Sequence, residues 1–149
     1  MQFNQTTLSQ TDMEAFLLAN CASANLELSK LLDPKLVHCS FEKKELTLSF
    51  KVKDWQLNPG GELHGGMIIT GFNTAFSLLA NYFKNPDLLT TVNQNTVFLK
   101  PVLPTDTIEY HVRISSIGNN LIGMLGKAHI QRDNILAGTA SATFVVADK

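Results

Sequence analysis

The sequence predicts an α+β fold in which an antiparallel sheet wraps one long, buried helix. Three observations predict it. A helix-length apolar run covers residues 65–84 and follows a Gly-rich turn. Before this run, apolar and polar residues alternate within residues 36–53, as they do in strands. After it come four more strand-like segments, at residues 90–99, 106–117, 121–131 and 135–146. A hairpin, a helix and four strands in this order are typical of the α+β class.

The bulk composition is that of an ordinary globular protein. The chain has 149 residues, of which 44% are hydrophobic and 17% charged. We expect a single domain over residues 1–149, with an N-terminal helical segment at 1–35 and a core at 36–147. The formal net charge of −1 gives no electrostatic footprint for nucleic acid or for an anionic membrane. We therefore expect neither as a partner.

The location and the metal content are also expectations from the sequence. The N-terminus lacks the basic and apolar regions of a signal peptide, and no uninterrupted apolar run is long enough to span a bilayer. Cys21 and Cys39 have neither the spacing of a disulfide framework nor that of metal ligands. We expect a cytoplasmic protein with no metal and no separate cofactor.

Local signals place the first helix and the first hairpin. The stretch Thr11-Asp12-Met13-Glu14 has the pattern of a capping box, so a helix is predicted to begin there. It should end near Leu32, before Asp33-Pro34. In the hairpin that follows, the period of two places Val37, Cys39 and Phe41 on one buried face.

The turn before the long helix is the candidate site, with the sequence Asn58-Pro59-Gly60-Gly61-Glu62-Leu63-His64-Gly65-Gly66. Gly65 and Gly66 have no Cβ, so a ligand atom can approach their backbone closely. The first N–H groups of a helix have no partner inside the helix and carry its positive end, which can polarise a carbonyl oxygen. The helix itself is apolar except for one polar line that includes Asn73, and Asn85-Pro86-Asp87 is expected to close it.

These residues resemble the hotdog-fold acyl-CoA thioesterases, and the nearest branch is the one typified by the phenylacetate-pathway thioesterase. Asn-x5-His-Gly-Gly precedes a buried helix, with a polar residue nine places after the His. Downstream, the passage from Val97 to Pro101, followed by Asp106-Thr107-Ile108, matches a strand, proline, turn and strand of that family. The resemblance covers roughly residues 36–147, and it implies the hotdog fold and a thioester substrate carried by coenzyme A or an acyl carrier protein.

The resemblance also implies roles for single residues. The Gly65 N–H would stabilise the oxyanion, and His64 would orient the thioester or help to expel the thiolate. Asn58 would hold the turn or the substrate carbonyl, and Thr91 would position water. Asn73 stands where the family has an Asp or Glu, and an amide cannot act as a base. Gly66, Phe72 and Phe76 are the expected substrate-binding residues.

Helix geometry predicts how His64 and Asn73 could cooperate. Nine helical residues rise about 13.5 Å and turn about 900°, so the two positions face opposite directions. They can act on one substrate only if they come from different protomers, which predicts a site across a homodimer interface. The resemblance implies the same pairing, with a dimer of dimers as a further possibility.

Several interpretations stay open at this point. His64 could be an ordinary loop histidine, and Asn58 could serve only to form the turn. Thr91 could be an ordinary strand residue, and Asn73 could have a purely structural role. Without a carboxylate at position 73, either Glu62 supplies one, or hydrolysis is slow, or there is none. The first hypothesis is an acyl-CoA thioesterase, and the second is an acyl-thioester binder without catalysis. A hotdog hydratase is a third, less favoured one.

Overall fold

The computed structural model describes residues 8–21, 26–84 and 89–147, and it has the architecture that the sequence predicts. The elements in chain order are α1 (Gln10–Cys21), α2 (Glu27–Leu32), β1 (Lys35–Ser40), β2 (Glu45–Lys51), α3 (Gly65–Phe83), β3 (Leu89–Phe98), β4 (Thr107–Ile117), β5 (Leu121–Ile130) and β6 (Ile135–Val146). The expected end of the long helix at Asn85-Pro86-Asp87 lies outside the described residues. None of the described helices combines the length and apolarity that a bilayer span requires.

Six antiparallel strands form one sheet in the order β1-β2-β4-β5-β6-β3, and α3 packs on one face of it. The helix buries aromatic side chains there because its apolar residues recur at helical spacing. Phe72 and Phe76 have no exposed surface and stack with ring centroids 5.9 Å apart. Phe72 also meets Tyr110 of β4 edge-on at 4.8 Å. Burial raises the pKa of Tyr110, so this phenol stays protonated inside the core.

Gly71 allows the helix to approach the sheet closely. A Cβ at this position would lie 2.3 Å from the ring and hydroxyl of Tyr110. Only a residue without a side chain therefore fits between α3 and β4 here.

The N-terminal helix differs from the prediction in two ways. It begins at Gln10 rather than at Thr11, because Ser9 is the residue that caps it: the Ser9 Oγ accepts the Asp12 N–H at 3.2 Å. The expected single helix ending near Leu32 is also wrong, since Leu26 has an extended backbone and a separate α2 starts at Glu27.

The predicted alternation of β1 is wrong at Val37. A register shift interrupts its pairing with β2 between Leu36 and His38, and the side chain of Val37 is 50% exposed. Such a bulge adds one residue to a strand and reverses the faces on either side of it. Cys39 stays buried as expected.

The two edges of the sheet differ in how they are covered. At the β1 edge, the Gln10 side chain of α1 donates to the Cys39 carbonyl at 3.0 Å and accepts the Phe41 N–H at 2.8 Å. At the other edge, β3 is ten residues long, and most of its side chains are exposed, including Val92, Val97 and Phe98. A long, partly apolar edge strand is a template for pairing with another chain.

An ion pair between the buried carboxylate of Asp106 and the half-exposed guanidinium of Arg132 holds the turn between β3 and β4. The carboxylate of Asp106 is 3% exposed, accepts the Leu103 N–H at 2.9 Å and meets the Arg132 Nε at 3.0 Å. The hydrogen bond from Arg132 is the main cause that lowers the pKa of Asp106. The ionised carboxylate is therefore the form that stabilises the fold.

We expect Asp106→Ala to lower the free energy of unfolding by about 1–3 kcal/mol, because it leaves the Leu103 N–H and the Arg132 guanidinium without their acceptor. Since the folded pKa lies below the ordinary value of 3.8, the stabilisation is present above that pH and is lost as pH falls through the folded pKa. Urea unfolding at several pH values would measure it. Asp106→Asn should remove the pH-dependent part of the stability. Asp133→Asn changes the exposed second partner of Arg132 and should leave that pH dependence intact. An unchanged acid profile in Asp106→Asn would contradict this account.

Candidate active site

The Gly-rich turn is held by the side chain of Asn58. Its Oδ1 accepts the Glu62 N–H at 3.1 Å, and its backbone N–H donates to the Glu62 carbonyl at 2.7 Å. Gly61 has a φ of +79°, a left-handed conformation that favours glycine. The turn is then tied to the core, because the His64 N–H donates to the Gln56 carbonyl at 2.9 Å. Asn58 thus holds the turn, and its Nδ2 donates to no residue that the structure describes.

His64 is the N-cap of α3. Its Nδ1 accepts the Gly66 N–H at 2.9 Å, and the side chain is exposed. Because a backbone N–H occupies Nδ1, the neutral imidazole carries its proton on Nε2. The ring therefore presents an N–H donor outward from the start of the helix.

The first turn of α3 leaves one N–H group free. Gly66 donates to the His64 ring, and Met67 and Ile68 donate to the His64 carbonyl at 2.8 and 3.3 Å. The Gly65 N–H donates to no acceptor in residues 8–21, 26–84 and 89–147. It lies at the positive end of a 19-residue helix and directly follows His64 in the chain. Such a donor can bind a carbonyl oxygen or an anion.

The ring of Phe98, at the end of β3, lies against Gly65. A Cβ at Gly65 would be 3.4 Å from two ring atoms of Phe98, whose side chain is 51% exposed. The ring gives the Gly65 backbone an apolar neighbour. An apolar neighbour lowers the local dielectric constant, which strengthens hydrogen bonds from the Gly65 N–H.

Asn73 of α3 and Thr91 of β3 lie together, about two and a half helical turns after His64. The Asn73 Nδ2 donates to the Thr91 Oγ1 at 3.2 Å and to the Gln94 Oε1 at 3.3 Å. No hydrogen bond joins this pair to His64 or Gly65 within the described residues. One protomer thus carries two separate groups of candidate residues.

A β-bulge brings Gln94 to this site. The pairing of β3 with β6 shifts between Thr91 and Asn93, so that Thr91 and Gln94 both contact the helix although they are three residues apart. Strict alternation would have placed Asn93 there instead. Sequence patterns gave no sign of the bulge, and for this reason Gln94 and Phe98 were absent from the expected site.

The expected substrate-binding residues lie elsewhere. Phe72 and Phe76 are fully buried, and both rings would contact a Cβ placed at Gly126 of β5 at 3.0–3.1 Å. They belong to the core of the protomer, which does not support a role in lining a substrate pocket. The Gly66 N–H is occupied by His64, and a Cβ at Gly66 would come within 3.0 Å of the His64 Nδ1. Gly66 therefore supports the position of the imidazole.

One cavity of the described structure lies on another part of the sheet and is not lined by these side chains. It is a groove of about 630 Å³ on the face of the sheet opposite to α3, and its lining includes His38, His111, Arg113 and Lys127. It contains none of the expected site residues. The side chain of His64 is exposed to solvent in a single protomer.

No group of three histidine, cysteine, aspartate or glutamate side chains in the described part of the chain is placed to hold a metal ion. The arrangement can bind a carbonyl oxygen at the helix N-terminus and a water molecule at Asn73 and Thr91. Neither binding step requires an added group.

Comparison with known proteins agrees with this description. A family model described as Thioesterase superfamily matches residues 60–137, from the Gly-rich turn into β6. A 55-residue stretch is 36% identical to 3-hydroxyacyl-(acyl-carrier-protein) dehydratase from Fusobacterium nucleatum, and it covers 37% of this chain and 38% of that protein. The chain thus matches well under half the length of this curated relative.

Solved structures show the fold. The E. coli PaaI protein from the phenylacetic acid degradation operon superposes with a TM-score of 0.78 at 16% identity, covering 91% of this chain and 96% of that one. A phenylacetic acid degradation-related protein from Ralstonia eutropha gives 0.76 at 22% identity, covering 88% and 99%. The expected hotdog fold is confirmed, with its antiparallel sheet, central helix and N-terminal helix.

Proposed function

Because the chain belongs to the thioesterase superfamily, we propose that it is an acyl-CoA thioesterase, which hydrolyses an acyl or aryl thioester to a free acid and coenzyme A. The observation that carries this proposal is the unoccupied Gly65 N–H at the start of α3. Thioester hydrolysis develops negative charge on the carbonyl oxygen, and a fixed N–H donor at a helix N-terminus stabilises that charge. The outward Nε2–H of His64 adds a second donor for the same oxygen or for the sulfur.

In the proposed reaction, a water oxygen attacks the thioester carbon, and the C–S bond breaks after the oxyanion forms. The proton that the water loses passes through solvent to the departing thiolate. Asn73 and Thr91 hold the water by hydrogen bonds, but an amide does not accept its proton at neutral pH. A missing general base typically costs about 10² to 10⁴ in rate. We expect slow turnover.

We place each site between two protomers. The Gly65 and His64 donors of one chain face the Asn73 and Thr91 side chains of its partner, in keeping with the separation of these groups within one protomer. The exposed edge of β3 supports such a dimer, since it carries Val92, Val97 and Phe98 with about half of each side chain exposed. A two-fold axis beside β3 would produce two equivalent sites. A dimer of such dimers is an extension of this proposal.

The second candidate function is acyl-thioester binding without hydrolysis. The amide of Asn73 favours it, because the donors at Gly65 and His64 would bind a thioester carbonyl equally well with no base nearby. The carrier, coenzyme A or an acyl carrier protein, is part of the substrate in both cases.

A thiol-release assay with short, medium, long and aryl acyl-CoA substrates tests the proposal, with one acyl carrier protein thioester as a further arm. We expect measurable, slow release with at least one acyl-CoA. Thiol release from the carrier-protein thioester but from no acyl-CoA would show that the carrier is an acyl carrier protein and not coenzyme A. Saturable acyl-CoA binding without any release would favour the binding protein. Neither binding nor release would contradict both candidates.

A further inference from the structure

Gln94 fixes which end of the Asn73 amide is available to a ligand. The Gln94 Nε2 donates to the backbone carbonyl of Ile69 in α3 at 3.0 Å, with Thr96 Oγ1 as a second acceptor at 3.4 Å. A backbone carbonyl can only accept, so the NH₂ of Gln94 must face the helix. Its Oε1 then faces Asn73 and accepts the Asn73 Nδ2 at 3.3 Å.

This orientation determines that of Asn73. An amide has two N–H donors on one end and an acceptor oxygen on the other. With its donors directed at the Thr91 Oγ1 and the Gln94 Oε1, Asn73 has both N–H groups occupied. Rotation of the Asn73 amide by 180° would place its oxygen against the Gln94 oxygen, which is unfavourable. The Asn73 Oδ1 is therefore the atom left for a ligand.

We propose that Gln94 is a positioning residue for hydrolysis, which keeps the Asn73 Oδ1 directed at the attacking water. This inference rests on the proposed function. An Oδ1 that accepts from the water leaves a water lone pair free to attack the carbonyl carbon. If the Asn73 NH₂ faced the water instead, it would donate to that lone pair and weaken the nucleophile. Gln94 acts through Asn73 and touches no reacting atom.

The orientation requirement distinguishes an amide from a carboxylate at position 73. A carboxylate has two acceptor oxygens, so turning it presents the same chemistry to the water. Gln94 should therefore matter when residue 73 is Asn and matter much less when it is Asp. A purely structural role of Gln94 would affect both backgrounds equally.

A double-mutant cycle tests the proposal, with Gln94→Met made in the wild-type and Asn73→Asp backgrounds. In the wild type we expect kcat to fall at least about fivefold with little change in KM, since a misplaced group lowers the rate more than binding. In Asn73→Asp we expect a change of less than twofold. The matched control is Gln131→Met, which removes an exposed glutamine bonded to Glu109 and should have no effect in either background. Equal losses from Gln94→Met in both backgrounds would overturn the proposal.

A second measurement does not depend on turnover. In side-chain amide NMR spectra, both Asn73 Nδ2 protons should exchange slowly with solvent in the wild type, and Gln94→Met should accelerate their exchange. Fast exchange of these protons in the wild type would overturn the proposed orientation. If the wild type hydrolyses no thioester but shows slow exchange, the hydrolytic function and the positioning role in it fail, while the amide orientation stands.

Discussion

Replacing His64 by asparagine should lower kcat/KM for acyl-CoA hydrolysis by about 100-fold or more, because it removes the Nε2–H that faces the thioester. Asparagine is a good N-cap, so its side chain can still accept the Gly66 N–H that His64 Nδ1 accepts at 2.9 Å. Thermal stability should therefore change little. Steady-state kinetics and a thermal melt of the same preparation provide both values.

His64→Ala serves as the comparison variant. It removes both the ring N–H and the cap, so we expect the same loss of activity together with a loss of about 1 kcal/mol of stability. The two variants together separate catalysis from capping. If His64→Asn kept activity within threefold of wild type, the histidine would be no more than a helix cap.

Asn73→Asp should raise kcat at least tenfold. It restores a general base where the water is expected to lie, and a positioned base contributes about 10² to 10⁴ in rate. The oxygen facing Gln94 Oε1 would be repelled, but the Gln94 amide can turn at the cost of its bond to the Ile69 carbonyl.

The pH profile identifies the origin of the gain. In Asn73→Asp, activity should fall as pH drops through the pKa of the new carboxylate, because only the ionised form accepts a proton. The wild type should lack this acid limb. Asn81→Asp, which adds the same charge to the same helix two turns later, should change neither the rate nor the profile. No gain in Asn73→Asp, with the control also unchanged, would show that position 73 does not hold the nucleophilic water.

The sequence predicted the strands and the long helix well, because each has a clear hydrophobic period. The ends of α3 and β6 agree with the prediction to within one residue. The Gly-rich turn could also be predicted, since Gly61 occupies a position where a positive φ favours glycine.

Two kinds of feature could not be predicted. Bulges at Val37 and Val92 change which residues face inward, and no local sequence pattern indicates these bulges. Gln94 and Phe98 reach the site through the second of these bulges. The packing of Phe72 and Phe76 was also ambiguous, because an apolar stripe on a helix does not say whether it faces the sheet or an open pocket.

Mixed dimers would test the central claim most directly, namely that a thioester is hydrolysed between two protomers. A His64→Asn chain and an Asn73→Leu chain, with different tags, would be co-expressed and the heterodimer purified. One of its two sites would contain both wild-type groups, so we predict about half of the wild-type activity per dimer, while each mutant homodimer is nearly inactive. A heterodimer no more active than the homodimers would contradict the shared site.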